Sequence, residues 1–386
     1  MLRTEENYEQ VRGVLSPFLG VPLPKNELTN KLLRSIFSEE EAFIIAAGIQ
    51  RGLMPVTERG IRKRTKIEGE RLKAILKDMA YKGKVIHFGP LYLMLPYLPG
   101  FFEFYFTNNR DDPKRMKGAA EAHYELIKSG FHVKHSSLNY PMFRVIPAVE
   151  PILKSIEINE TIPIKHKILP YEILEKYLSK FKVFAIQTCS CRNAAKLSGN
   201  PCKRTDENFC ISAGFLAQRV IDGGVARGVN LAELMEIMKR AEKEGLVHEV
   251  TNTQSASVFI CNCCSCCCGF LKSVKELKNK GGIAPANFQP KIDVNLCKAC
   301  KKCMQICPME AIHYSEEGTD KKVTITLETC IGCGVCASNC PQNAITLTKI
   351  RNIAPVKNVV GLALMRRWFK GILGLVVSFF RSLLNS

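Results

Sequence analysis

Apolar residues change their period several times along the chain, and each change marks an element. Ser38 and Glu41 form a capping box ahead of the apolar run Ala42–Ala47, predicting a helix that ends near Gly48 or Gly52. Ile67, Leu72, Ile75, Leu76 and Met79 recur at helical spacing, and Gly83 stops that second helix. Between Lys84 and Leu95 the pattern shortens to two strands turning at Gly89-Pro90. Pro96, Pro99 and the aromatic run Phe101–Phe106 read as a packed linker, followed by a helix over Pro113–Lys128. Another helix opens at Pro170-Tyr171-Glu172 and ends near Lys180, before a strand Val183–Ile186. Asn230 and Glu233 cap a helix striped by Leu231, Leu234, Met235 and Met238 and closed by Gly245; Leu246–Val250 and Val258–Ile260 then predict a hairpin. From Asn358 to Leu384 the chain is apolar but interrupted, short of the ~18–20 uninterrupted residues of a spanning helix. Wound at about 100° per residue, it puts Arg366, Arg367, Lys370 and Arg381 on one side and Trp368, Phe369, Ile372, Val376, Phe379 and Phe380 on the other. Such a helix suits a membrane interface, and packing on the protein's own core or a partner subunit is the alternative.

At 386 residues the chain has room for several domains. Lys and Arg exceed Asp and Glu by 55 − 36 = 19, a surplus that suits nucleic acid, anionic lipid or an acidic redox partner. Eighteen cysteines change the picture more. Met1–Glu6 is charged and lacks an apolar h-region, so the expectation is metal-bound thiolates in a reducing cytoplasm, not secreted disulfides. No Gly-rich phosphate loop follows a predicted strand.

One cysteine phrase occurs twice: Cys297-x2-Cys300-x2-Cys303-x3-Cys307-Pro308 and Cys330-x2-Cys333-x2-Cys336-x3-Cys340-Pro341. With Ala311-Ile312, Ala344-Ile345, Gly332 and Gly334 around it, the segment 288–350 resembles a bacterial two-cluster ferredoxin. The resemblance implies two cross-stitched 4Fe–4S clusters. One would take Cys297, Cys300, Cys303 and Cys340; the other would take Cys330, Cys333, Cys336 and Cys307. Paired zinc sites are the alternative that the C-x2-C spacing alone allows.

Ten further cysteines lie upstream: Cys189, Cys191, Cys202 and Cys210, then Cys261, Cys263, Cys264, Cys266, Cys267 and Cys268. Alternation along a strand lets Cys261 and Cys263 share a side with Cys266 or Cys268, whereas adjacent cysteines need a turn to serve one metal. A third iron–sulfur cluster accounts for this density, and structural zinc is its competitor. Arg192 beside Cys191, His248, and the pair His132 and His135 could join such sites or simply be satisfied by hydrogen bonds and packing. Arg144-Val145-Ile146-Pro147, Leu169-Pro170-Tyr171-Glu172, Cys189-Ser190-Cys191-Arg192, Gly245-Leu246-Val247-His248 and the run from Ile260 to Cys268 resemble a group of 4Fe–4S ferredoxin-type proteins of anaerobes, which implies electron transfer in anaerobic metabolism. Cys267-Cys268-Gly269 also resembles the Cys-Cys-Gly motif of heterodisulfide reductase subunits, but as one dense run instead of widely spaced repeats. Helices, the basic stretch Arg59–Lys66 and the hairpin over 26–95 resemble a winged helix-turn-helix, which implies DNA reading or a docking module.

The expected fold class is α+β multidomain. Its parts are a winged-helix-like module over 1–100, a linker and helical segment over 101–144, a Cys-rich metal-binding domain over 145–285, the ferredoxin domain over 286–352 and the amphipathic helix over 355–386. The expected function is relay of low-potential single electrons between redox partner proteins, peripheral on the cytoplasmic membrane face, with no catalytic residue assigned. A redox-sensing DNA-binding regulator and a reductase acting at Cys261–Cys268 are the other classes.

Overall fold

Helix caps set the start of most N-terminal elements in the computed structural model, which describes residues 4–17, 20–136, 140–153, 168, 172–205, 207, 209–255, 257–278, 281–317, 320–362 and 364–365. The chain divides into two units, residues 1–136 with 188–206, and residues 137–187 with 207–386. In the first unit Asn26 Oδ1 accepts from Thr29 N at 2.9 Å to open the helix Glu27–Ile36. The Ser38/Glu41 capping box opens Glu39–Phe43, which runs into a wider π-turn over Ile44–Ile49. The basic stretch forms its own helix, Glu58–Thr65, because Lys66 turns left-handed (φ 61°) and separates it from the helix Gly69–Tyr81. Strands β1 (Val56–Thr57), β2 (Ile86–Phe88) and β3 (Leu91–Leu93) form an antiparallel sheet in the order β1-β3-β2. The aromatic run is a helix, Phe101–Asn108, burying Phe101, Phe102, Tyr105 and Phe106. Against it and Pro113–Lys128 packs the helix Ser190–Leu197, whose Asn193 Nδ2 donates to Phe106 O at 2.7 Å. Cys189, Cys191 and Cys202 thus fold with this unit. The buried Lys84 is explained locally: its Nζ lies 3.0 Å from both Glu41 and Asp111.

The second unit is built on a seven-stranded sheet. Its strands are β4 (Phe143–Ile146), β5 (Phe184–Gln187), β6 (Cys210–Ala213), β7 (Arg227–Val229), β8 (Val247–Thr251), β9 (Phe259–Cys263) and β10 (Ile283–Ala284), ordered β10-β4-β8-β9-β6-β5-β7. Every pairing is antiparallel except β10 with β4. The helix Leu231–Lys243, capped by Asn230, buries Leu234, Met235, Ile237, Met238 and Ala241. The tandem cysteine segment adds two ribbons, β11 (Phe288–Ile292) with β14 (Ile345–Lys349), and β12 (Ile312–Glu317) with β13 (Asp320–Ile325).

This segment is welded to the sheet. Val145, Val247, Cys263, Cys268, Leu271, Phe288, Met309, Ile331 and Leu347 share one buried core, with Cys307, Cys330 and Cys333 packed against it. Glu242 accepts from Val149 N (2.7 Å) and from Ser338 Oγ (2.6 Å), and Lys349 pairs with Glu172 at 2.7 Å in the interior. The expected amphipathic helix lies mostly outside the described residues. Among the described residues no helix is long and apolar enough to cross a membrane.

Candidate metal centres

The two cysteine phrases fold alike, 330 − 297 = 33 residues apart. Ala299 (φ 50°) and Lys301 (φ 62°) in the first take the left-handed backbone of Gly332 (φ 69°) and Gly334 (φ 76°) in the second. Glu310 and Asn343 match in the same way, at φ 53° and 50°. These left-handed kinks fold each x2 spacing into a tight loop with its thiols on the inside. In both copies the fourth cysteine is braced identically, with Ala311 N donating to Cys307 Sγ and Ala344 N to Cys340 Sγ, each at 3.3 Å. Glycine at 332 is demanded twice over, since a Cβ there would stand 2.2 Å from the Phe288 carbonyl oxygen.

Thiols from both phrases converge. Cys297, Cys300, Cys303 and Cys340 line one pocket together with Lys298, Lys301, Ile292 and Val323. Burial pushes the Cys336 thiol well up, and the neighbouring thiolates of Cys333, Cys307 and Cys330 push it further. Cys333 is raised by burial and by Cys307 and Cys330 in the same manner. As thiolates these groups need positive charge between them, which cluster iron would supply.

Residues 296–348 match the family model of the 4Fe-4S dicluster domain. Over 71 residues, 18% of this chain, it is 40% identical to pyruvate synthase subunit PorD of Methanocaldococcus jannaschii, covering 78% of that protein. The chain belongs to the 4Fe-4S dicluster ferredoxin family. Its ferredoxin domain is also similar to PorD of Methanothermobacter marburgensis (36% over 72 residues, 19% of this chain and 79% of that one). A third relative is the delta subunit of NADH-dependent phenylglyoxylate dehydrogenase of Aromatoleum evansii (34% over 56 residues, 14% and 56%). No solved structure matches the chain significantly. The protein is a ferredoxin-type iron–sulfur protein with a 4Fe–4S domain set in a much larger α/β chain.

Beside the ferredoxin domain, the sheet presents a cysteine-lined face. The register sets Cys210 opposite Cys261, Cys261 opposite Glu249, and Cys263 opposite Val247. Alternation therefore puts Cys210, Glu249, Cys261 and Cys263 on one face, while His248 and Asn262 turn to the other. Gln187 Nε2 approaches Cys210 Sγ at 3.9 Å on the cysteine face. After β9 the chain turns through Ser265–Cys267, and Cys268 caps the helix Gly269–Glu276, its N–H reaching Cys264 O at 3.1 Å. That turn sorts neighbouring cysteines apart. Cys264, Cys266 and Cys267 hold their sulfurs within 4.8 Å of one another, and Cys263 and Cys268 stand equally close to a carboxylate oxygen of Glu249. Hydrogen bonding with Cys261 and Cys268, then burial, pushes the Cys263 thiol up.

Glu249 was invisible in the sequence pattern; only the pairing of β8 with β9 delivers it. Burial pushes its carboxyl well above the usual range, Cys261 adds to that, and a hydrogen bond with Cys263 opposes it. His248 is a structural residue: Nδ1 meets Asn262 Oδ1 at 2.6 Å and Nε2 meets Glu242 Oε1 at 3.1 Å. His132 is buried and joins neither compact thiol group, and the side chain of His135 lies outside the description.

Proposed function

We propose that this protein passes single electrons between a partner redox protein and an iron–sulfur centre in its Cys-rich sheet, using the ferredoxin domain as the wire. The outer cluster takes Cys297, Cys300, Cys303 and Cys340, and the inner one takes Cys330, Cys333, Cys336 and Cys307. One observation carries the reading: Cys307, Cys330 and Cys333 of the inner cluster pack against the same hydrophobic core as Cys263 and Cys268, which flank the turn thiols Cys264, Cys266 and Cys267 in the chain. A shared dry core keeps successive centres close and at fixed separation.

The outer end is the port. Cys300 is exposed there, as are Val294 and Leu296 and the lysines 298, 301 and 302. Apolar contact ringed by lysine suits a redox partner with an acidic face. The relatives named as oxidoreductase subunits support a partner of that class. The turn thiols Cys264, Cys266 and Cys267 are the nucleus of the further iron–sulfur centre. Docking at the cytoplasmic face of a membrane rests on the amphipathic pattern of residues 366–386 alone; a DNA-reading role rests on the helix and hairpin order of the first unit and its basic helix.

Anaerobic iron and sulfide analysis with electron paramagnetic resonance of the reduced protein tests the relay. The two cubanes require about eight iron and eight sulfide per chain, with any excess belonging to the sheet. Colourless protein, or zinc in place of iron, would end the proposal.

A further inference from the structure

We propose that Glu249, Cys263 and Cys268 form a carboxylate–thiolate site for one divalent transition-metal ion, iron or zinc, separate from the iron–sulfur clusters. Glu249 is 3% exposed, Cys263 7% and Cys268 5%. Among the described residues Glu249 Oε1 has no hydrogen-bond partner, although it is fully buried beside the thiols. A buried carboxylate oxygen facing thiols suits a metal ligand, because native interiors pair such atoms.

Spacing favours a single ion. One ligand atom from each of Glu249, Cys263 and Cys268 lies within 4.8 Å of the others. A tetrahedral ion with metal–sulfur bonds of about 2.3 Å and a metal–oxygen bond of about 2.0–2.2 Å places its ligand atoms about 3.5–3.8 Å apart. Ligands on separate corners of a cubane stand wider, since each reaches outward to its own iron. The β8–β9 ladder carries Glu249 and Cys263 on one face and holds their spacing, which cannot widen without breaking hydrogen bonds. The turn thiols Cys264, Cys266 and Cys267 are under no such constraint. Mixed oxygen and sulfur donors suit a borderline cation, zinc or ferrous iron.

The test uses full-length protein purified without oxygen, as wild type, Glu249→Gln and Cys268→Ser. Metal content, labile sulfide and the resonance of the reduced ferredoxin clusters are measured on each. Each variant is expected to lose about one metal ion per chain, with sulfide and the ferredoxin signal unchanged. Which metal falls, iron or zinc, identifies the ion. Unchanged metal in both variants overturns the proposal, and so does loss of sulfide together with iron, which would put these residues on a cluster. Should Glu249→Gln fail to accumulate, Cys268→Ser carries the same test from a different element, and retention of the ion there overturns it. The ferredoxin signal reads the relay independently, so failure of one proposal is distinguishable from failure of the other.

Discussion

Ala299 and Gly332 occupy the same left-handed kink in the two cysteine loops, yet only one of them is glycine. Left-handed backbone costs an L residue about 1–2 kcal/mol, so Ala299→Gly is expected to stabilise the loaded protein by about 1 kcal/mol. Gly332→Ala meets both that cost and the Phe288 carbonyl, and should lose at least about 2 kcal/mol together with inner-cluster iron. Thermal midpoints with iron counts check the pair; equal effects at the two positions would refute the argument. Glu242 gives a prediction in pH. Burial works against its ionisation, but hydrogen bonds from His248, Ser338 and the Val149 amide prevail and hold its carboxyl below the ordinary 4.5. A depressed folded value means the stabilisation is complete above pH 4.5 and drains away as the pH falls from there through that lower value. Glu242→Gln should be less stable at neutral pH, with a shallower loss of stability on acidification. An acid titration of the unfolding midpoint would expose parallel curves if the reasoning failed.

At the scale of elements, local signals were enough wherever an element needs only its own residues. Asn230 and Glu233 marked the helix Leu231–Lys243, and Gly89-Pro90 marked the turn between β2 and β3, since caps and turns are satisfied within a few positions. The basic stretch Arg59–Lys66 was harder. Its helix carries few apolar residues and is closed by a left-handed lysine, so no periodicity announced it. The joint between ribbon and sheet was harder still, because Glu172 and Lys349 are 177 positions apart. Both ends of that pair are buried, so Lys349→Met strands a carboxylate and should cost about 3–5 kcal/mol. Adding Glu172→Gln to Lys349→Met should recover much of that loss, and denaturant unfolding of the single and double variants measures it.

For the whole molecule, the proposed relay makes charge around the outer cysteines the control on exchange with a redox partner. Lys298, Lys301 and Lys302 surround the outer cysteines, and a basic rim speeds encounter with anions by 10-fold or more at low salt as an order-of-magnitude expectation. Reversing all three to Glu should slow oxidation of the reduced protein by anionic hexacyanoferrate and quicken it by a cationic cobalt hexammine, the gap closing as salt rises. Stopped-flow rates that ignore the sign of the oxidant would remove the port. Separately, loss of residues 366–386 should abolish flotation with anionic liposomes, and equal flotation of both forms would dismiss membrane docking.

Sequence alone determined the ferredoxin domain. Its ligand loops are local, with three thiolates inside seven residues and a fourth four places on, so chain spacing already encodes most of the chemistry. Tertiary structure decided the rest. Which upstream thiols meet, that Glu249 stands among them, and that the inner loop shares their core all depend on strand register and long-range packing. Register is a property of two strands together, and a one-residue slip would turn every one of those side chains to the opposite face.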